Sequence, residues 1–133
     1  MKTRISVLVV SLAACLAPAG TMAHHAFASS FDVNKPVDFR GTVTKVELIN
    51  PHSWIHLDVV NEDGEKEAWR IEGGSPNALY RQGITKDSVP IGSELHIVGY
   101  QARDGSLRAV GRDITFGDGR SVFFGGTDVP DEE

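Results

Sequence analysis

The stretch VDFRGTVTKVEL, residues 37–48, decides the fold of this 133-residue chain. Apolar and polar residues alternate over residues 37–43, a pattern typical of a half-buried strand. The apolar phase then shifts to Val46 and Leu48, which indicates a β-bulge near Thr44-Lys45. We therefore predict a long first strand that bends strongly near its middle.

Further alternating segments follow, and turn residues such as Asn50-Pro51 separate them. We predict strands over residues 53–61, 66–72, 93–102 and 107–116, after which a Gly-Asp-Gly turn leads into residues 121–124. These segments contain no internal repeat. The pattern is that of a small, mostly antiparallel β-domain.

A helix interrupts the strands after Gly73-Gly74. Ser75 suits an N-cap, Pro76 suits the first helical position, and Gly83 suits the position after the last turn. The predicted helix covers residues 76–82, so the element order is β-β-β-α-β-β. This is the plan of the OB-fold barrel, so we predict an all-β domain with one short helix, an OB-fold-like five-stranded barrel. A small antiparallel sandwich is the alternative.

The first 23 residues have the layout of a secretory signal peptide. Lys2 and Arg4 precede an apolar run of 12 residues at positions 5–16, which is too short for a membrane span. Thr21 and Ala23 then place small residues at the −3 and −1 positions of a cleavage site. Cleavage after Ala23 predicts a periplasmic or secreted protein.

Two other fates of the leader stay open. It could be retained as an interfacial anchor. Alternatively, residues 12–15 form a lipobox in which Cys15, the single cysteine of the chain, would be acylated, making the protein an outer-membrane lipoprotein. Either cleavage is compatible with a domain that lacks disulfides in an oxidising compartment.

The chain divides into four predicted regions. These are a signal peptide over 1–23, an N-terminal arm over 24–36, the OB-like barrel domain over 37–124, and an acidic disordered tail over 125–133. The leader contains two of the 13 basic residues and none of the 18 acidic ones, so the mature net charge is −7 with histidine neutral. Because phosphate backbones require clustered Lys and Arg, nucleic acid is excluded as a partner.

Histidine is the residue type that could carry chemistry in the mature domain. No cysteine remains there, which excludes thiolate sites, and no nucleophile elbow, phosphate loop or paired-carboxylate motif is present. His52 and His56 have the i, i+4 spacing of a helical metal site, but Pro51 and the alternation after it predict a strand. On a strand the two residues lie about 13 Å apart, too far to share one metal ion.

His52 becomes a stronger candidate if the arm crosses the strand ends. The amine and imidazole of His24 at a new N-terminus, together with His25 and His52, would form an all-nitrogen metal site. Tetragonal nitrogen coordination suits Cu(II), and zinc is the less favoured metal. The alternative interpretation is a solvated terminus and a histidine that only supports a turn.

Several motifs resemble a known family. They are HHAFASSFD at 24–32, NKPV at 34–37, GTVTKVE at 41–47, NPHSW at 50–54, GSPN at 74–77 and YQARDGS at 100–106. Together they are similar to the family of small secreted bacterial proteins catalogued as domain of unknown function 6152. The resemblance implies export and a barrel fold, strengthens His24, His25 and His52 as candidates, and implies no reaction.

Three functions remain open at this point. The first is an exported binding module that captures and hands over a copper-type metal. The second is an accessory protein that binds an envelope partner or a small ligand through a face bearing Trp54 and Trp69, without metal. The third is a copper oxidoreductase, which is less favoured because a bound metal alone does not make an enzyme.

Overall fold

The computed structural model describes residues 29–126 of the chain. Its elements are β1 (Phe31–Ile49), β2 (His52–Val60), β3 (Lys66–Glu72), α1 (Pro76–Arg81), a 3₁₀ turn (Lys86–Ser88), β4 (Glu94–Ala102), β5 (Arg108–Phe116) and β6 (Ser121–Phe123). The domain is mostly β with a short helix between the third and fourth strands, as predicted.

The six strands form one sheet with the order β3-β2-β1-β4-β5-β6. Neighbours in this order are antiparallel, and β3 also pairs with β5 in parallel through Arg70–Arg108, Ile71–Ala109 and Glu72–Val110. Backbone hydrogen bonds therefore connect five strands in a ring, and β6 extends β5 outside it. The prediction of five strands missed β6, because three residues are too few to show an alternation.

The bulge predicted from the phase shift in β1 is confirmed. The β1–β2 register runs from Thr42–Asp58 to Ile49–His52, and it slips between Val43 and Lys45. The slip lets β1 pair with β4 along its first half and with β2 along its second half. One long strand thus belongs to two antiparallel pairs.

The start of β1 differs from the predicted boundary at residue 37. Phe31, which the sequence places in the arm, pairs with Ala102 and is 5% exposed. With Ala102, Val110 and Tyr100 it forms a small cluster separate from the main core. The sequence pattern did not predict this part of the strand, because Lys35 and Pro36 interrupt the alternation. The register with β4 is also irregular between Phe31 and Pro36.

The main core fills the inside of the ring. Alternate residues of the strands meet there with residues from α1 and the loop after it, and the most buried include Val43, Ile55, Leu57, Ile71, Leu79, Leu95, Ile97, Ile114 and Phe124. Helix α1 begins as predicted, with the Ser75 hydroxyl accepting a hydrogen bond from the amide of Ala78. Leu79 anchors the helix in the core.

The end of the described chain also differs from the predicted tail boundary at residue 125. Gly125 is buried, and the amide of Gly74 donates to the carbonyl of Phe124. A Cβ on Gly74 would lie 3.0 Å from the carbonyl oxygen of Gly125, so the chain crosses Gly74 closely. The rest of the predicted tail, 127–133, lies outside the described residues. Within 29–126, no helix is long and apolar enough to cross a membrane.

Candidate functional site

Of the three predicted metal ligands, the structure describes His52. His24 and His25 lie outside the described residues, as do Cys15 and the predicted signal peptide. His52 is the first residue of β2 and follows a two-residue turn, Asn50-Pro51, whose peptide bond is cis. The predicted turn therefore places His52 at the turn end of the β1–β2 hairpin, opposite Ile49.

The register of β1, β2 and β3 gathers polar side chains on the surface opposite the core. We call this surface the outer face, and it carries Lys45, Glu47, His52, Trp54, His56, Arg70 and Glu72. Glu47 and Glu72 both lie directly opposite Trp54, while Lys45 and Arg70 both lie opposite His56. Two histidines, two carboxylates and two further cations thus share one surface.

Glu72 holds the His52 ring. The Nδ1 atom of His52 contacts Oε1 of Glu72. The His52 side chain is 50% exposed, whereas that of Glu72 is 13% exposed, so the carboxylate anchors the ring from the protein side. A carboxylate on one ring nitrogen sets the tautomer and orientation of a metal-binding histidine. Among the described residues Nε2 of His52 has no hydrogen-bond partner.

His56 takes part in a separate series of side-chain hydrogen bonds. Its Nε2 lies 2.7 Å from Oε2 of Glu47, whose Oε1 accepts from Nζ of Lys45 at 2.8 Å. His52 and His56 therefore have different carboxylate partners. Residues 29–126 contain no group of three or more His, Cys, Asp or Glu arranged to hold a metal.

Trp54 and Arg70 border a cleft beside His52. The cleft has a volume of about 400 Å³ and is lined by Glu47, Ile49, Asn50, Pro51, His52, Trp54 and Arg70. The Arg70 guanidinium carbon lies 4.6 Å from the centre of the Trp54 ring, a cation–π contact. The cleft combines an apolar floor with a few polar groups, as small binding sites do.

The two tryptophans lie on opposite faces of the sheet, so the predicted face bearing both Trp54 and Trp69 is not present. Trp69 points inward and is 8% exposed, and its ring lies 4.8 Å from that of Phe39. Trp54 lies opposite Glu72, and Trp69 lies opposite Leu57. Because their positions differ by an odd number along the register, they occupy opposite faces of the sheet.

A third histidine is paired elsewhere. His96 on β4 has its Nε2 2.6 Å from Oδ1 of Asp38 on β1. It is partly exposed and carboxylate-bound like His52, but it is not on the outer face. This makes His96 a matched control for substitutions of His52.

Glu47 should make the free energy of unfolding depend on pH in the acidic range. Hydrogen bonds from Lys45 and then from His56 lower the pKa of Glu47 to about 2, from 4.5. A lowered folded-state pKa stabilises the protein above the unfolded value, and this contribution is lost as the pH falls from about 4.5 towards about 2. We therefore expect the free energy of unfolding, measured with urea, to fall less between pH 5 and pH 2.5 in Glu47→Gln than in the wild type.

Glu62→Gln, at an exposed turn position, is the control for removing one carboxylate. Equal losses of stability in the wild type and in Glu47→Gln would contradict the prediction.

Sequence reasoning missed the acidic partners of the histidines. Glu72 was assigned correctly to a strand, and its alternation with Ile71 could have indicated that it faces outward. Its contact with His52 depends on the β2–β3 register, which no local pattern specifies. Glu47 was missed for the same reason, because the bulge in β1 decides which residue lies opposite Trp54.

Comparison with known proteins gives a family and no assigned activity. The model of the Family of unknown function (DUF6152) matches residues 11–111, about three quarters of the chain. The match includes β1 to β4, the His52 hairpin and the first residues of β5. No curated protein matches the chain.

Proposed function

Because the chain belongs to the Family of unknown function (DUF6152), whose description assigns no activity, we propose a function from the His52 site: the protein binds a metal ion. The ligands are His52 and, from the N-terminal arm, His24 and His25. The observation that carries this proposal is the Glu72 contact, which occupies Nδ1 of His52 and leaves Nε2 for a ligand.

The arm is long enough to reach His52. Phe31 packs in one cluster with Val110, Val110 lies opposite Glu72, and Glu72 contacts His52. Neighbouring strands are about 5 Å apart, so this path from β1 through β4, β5 and β3 to β2 spans roughly 20 Å around the ring. Because Ser29 and Ser30 are helical, the seven residues from His24 to Phe31 can extend to about 20 Å. Covalent geometry therefore allows His24 and His25 to meet His52.

Copper(II) is the favoured metal, and zinc is second. Three imidazoles and a free amine make an all-nitrogen set, which suits the tetragonal preference of Cu(II). A free amine at His24 requires cleavage after Ala23, so the proposal includes export to the periplasm or secretion. We propose capture and handover of the metal rather than turnover, in a domain whose ring of strands is an OB-like barrel.

A copper titration tests this function. We expect the protein that begins at His24, verified by intact mass, to bind one Cu(II). Removing the residue that hydrogen-bonds a metal ligand typically weakens metal binding about 10- to 100-fold, and His52→Ala, which removes a ligand itself, should weaken it at least as much. Glu72→Gln should weaken binding by about 10-fold or more for the same reason. The measurement is isothermal titration with a competing chelator.

His96→Ala is the matched control and should bind as the wild type does. A protein with one extra residue before His24 should lose the amine ligand and bind more weakly. If His52→Ala and wild type bind Cu(II) equally, the His52 site is not a metal site.

The cleft beside His52 supports a second candidate function, the binding of an envelope partner or small ligand without metal. Trp54 and Arg70 on its wall would make the contacts, and the inward position of Trp69 removes that residue from the candidate surface. An interaction of this kind should be abolished by Trp54→Ala and unchanged by His52→Ala, the reverse of the pattern expected for a metal site.

A further inference from the structure

Two arginines on the closing strands of the ring make no close ion pair with any residue that the structure describes. Arg70 on β3 lies directly opposite Arg108 on β5, in the parallel pairing that completes the ring. Like charges directly opposite each other on neighbouring strands are destabilising. Neither arginine makes a salt bridge within the part of the chain that the structure describes. The Nε atom of Arg108 is buried there without a hydrogen-bond partner.

The two nearby carboxylates have other hydrogen-bond partners, although the charge of Arg108 also acts on Asp104 over a longer distance. Glu72, two residues after Arg70, contacts His52. Asp104, in the turn before β5, accepts from both the amide and the hydroxyl of Ser106 through Oδ1. A buried donor such as Nε of Arg108 ordinarily has an acceptor, and none of the described residues supplies one.

Both guanidinium groups rest on aromatic rings. Arg70 lies over Trp54, and the guanidinium carbon of Arg108 lies 5.3 Å from the centre of the Phe31 ring. Stacking restricts the side chains and leaves the N–H edges of the planar groups available. A guanidinium edge matches the two oxygens of a carboxylate, and such charge-assisted bonds are among the strongest in proteins.

We propose that Arg70 and Arg108 form a carboxylate-binding site. The site includes none of the proposed metal ligands, although Arg70 lines the cleft beside His52, and it does not depend on metal binding. It accounts for three features together: the opposed positive charges, the unsatisfied Nε of Arg108, and the cation–π contacts that hold both groups.

The carboxylate has two sources. One is the end of the same chain, because residues 127–133 (TDVPDEE) contain four acidic residues. Gly126 lies beside Gly74, which follows Arg70 by four residues and is therefore at most about 14 Å from it. Seven residues extend to about 24 Å, so this segment can reach the arginines. The other source is a separate molecule that carries a carboxylate.

A peptide titration tests the site and distinguishes the sources. The probe is the peptide TDVPDEE, and the readout is the fluorescence of Trp54, whose ring Arg70 covers. It is titrated into the wild type and into a full-length variant with Asp128→Asn, Asp131→Asn, Glu132→Gln and Glu133→Gln. In the amide variant we expect saturable binding that Arg70→Gln or Arg108→Gln weakens at least tenfold.

Arg40→Gln is the control, because Arg40 is exposed and pairs with Glu94 away from this site. Weaker peptide binding by the wild type than by the amide variant would support the site and identify the chain's own end as its occupant. Equal binding would support the site with a separate molecule as occupant. No saturable binding, or equal effects of Arg40→Gln and Arg70→Gln, would overturn the proposal. Because Arg70 is exposed, its replacement should not disturb the core.

Discussion

Replacing Gly99 by alanine is expected to destabilise the protein by about 3 kcal/mol, the upper part of the usual range for overpacking a core. Gly99 lies on β4 at the point where its register with β5 slips. A Cβ at this position would lie 2.0 Å from the carbonyl oxygen of Val110, which is backbone and cannot turn away as a side chain would. Relief therefore requires separation of β4 from β5.

Urea unfolding of Gly99→Ala measures this effect, and Gly117→Ala is its control. A Cβ on Gly117 would meet no atom within 4 Å, so the substitution adds a methyl group without a clash. A stability of Gly99→Ala close to that of Gly117→Ala would show that the β4–β5 bulge does not need glycine.

Truncation of Phe124 to alanine is expected to cost about 3–5 kcal/mol, as for other fully buried phenylalanines. The ring is 1% exposed, and its atoms lie 2.4 Å from the place that a Cβ on Gly73 would occupy. Gly73 and Gly111 leave the space that the ring fills. Losing the ring would leave a cavity between β3, β5 and the segment after β6.

The neighbouring residue provides the control for this second substitution. Phe123 is 37% exposed, so Phe123→Ala should destabilise the protein much less than Phe124→Ala in the same urea experiment. Similar losses in the two variants would mean that Phe124 does not anchor the end of the domain in the core.

The strands and the helix of this protein were predictable because their signals are local. Alternation located β2 to β5 within one residue at each end, and the phase shift in the first strand located its bulge. Ser75 and Pro76 located the helix start because capping and proline geometry depend on adjacent backbone alone. Phe31 escaped prediction because Lys35 and Pro36 interrupt the alternation, and β6 escaped because three residues are too few to show one.

The candidate site was predictable only as far as one histidine. His52 was identified by its position after Asn50-Pro51 and by the chemistry of imidazole. Its partner Glu72 is 20 residues away and meets it through the β2–β3 register. The opposed arginines were likewise missed, because Arg70 and Arg108 are brought together by a pairing that closes the ring.

The sequence by itself determined the class of the domain and the positions of most of its strands and turns, and it predicts histidine as the residue type that could bind a metal. These follow from periodicity and side-chain type, which act over a few neighbouring residues. Tertiary structure alone decided which charges face each other, which tryptophan is buried, and where Phe31 and Gly125 pack against the rest of the domain. Contacts between distant strands depend on register and ring closure, and those are set by the packing of the whole core.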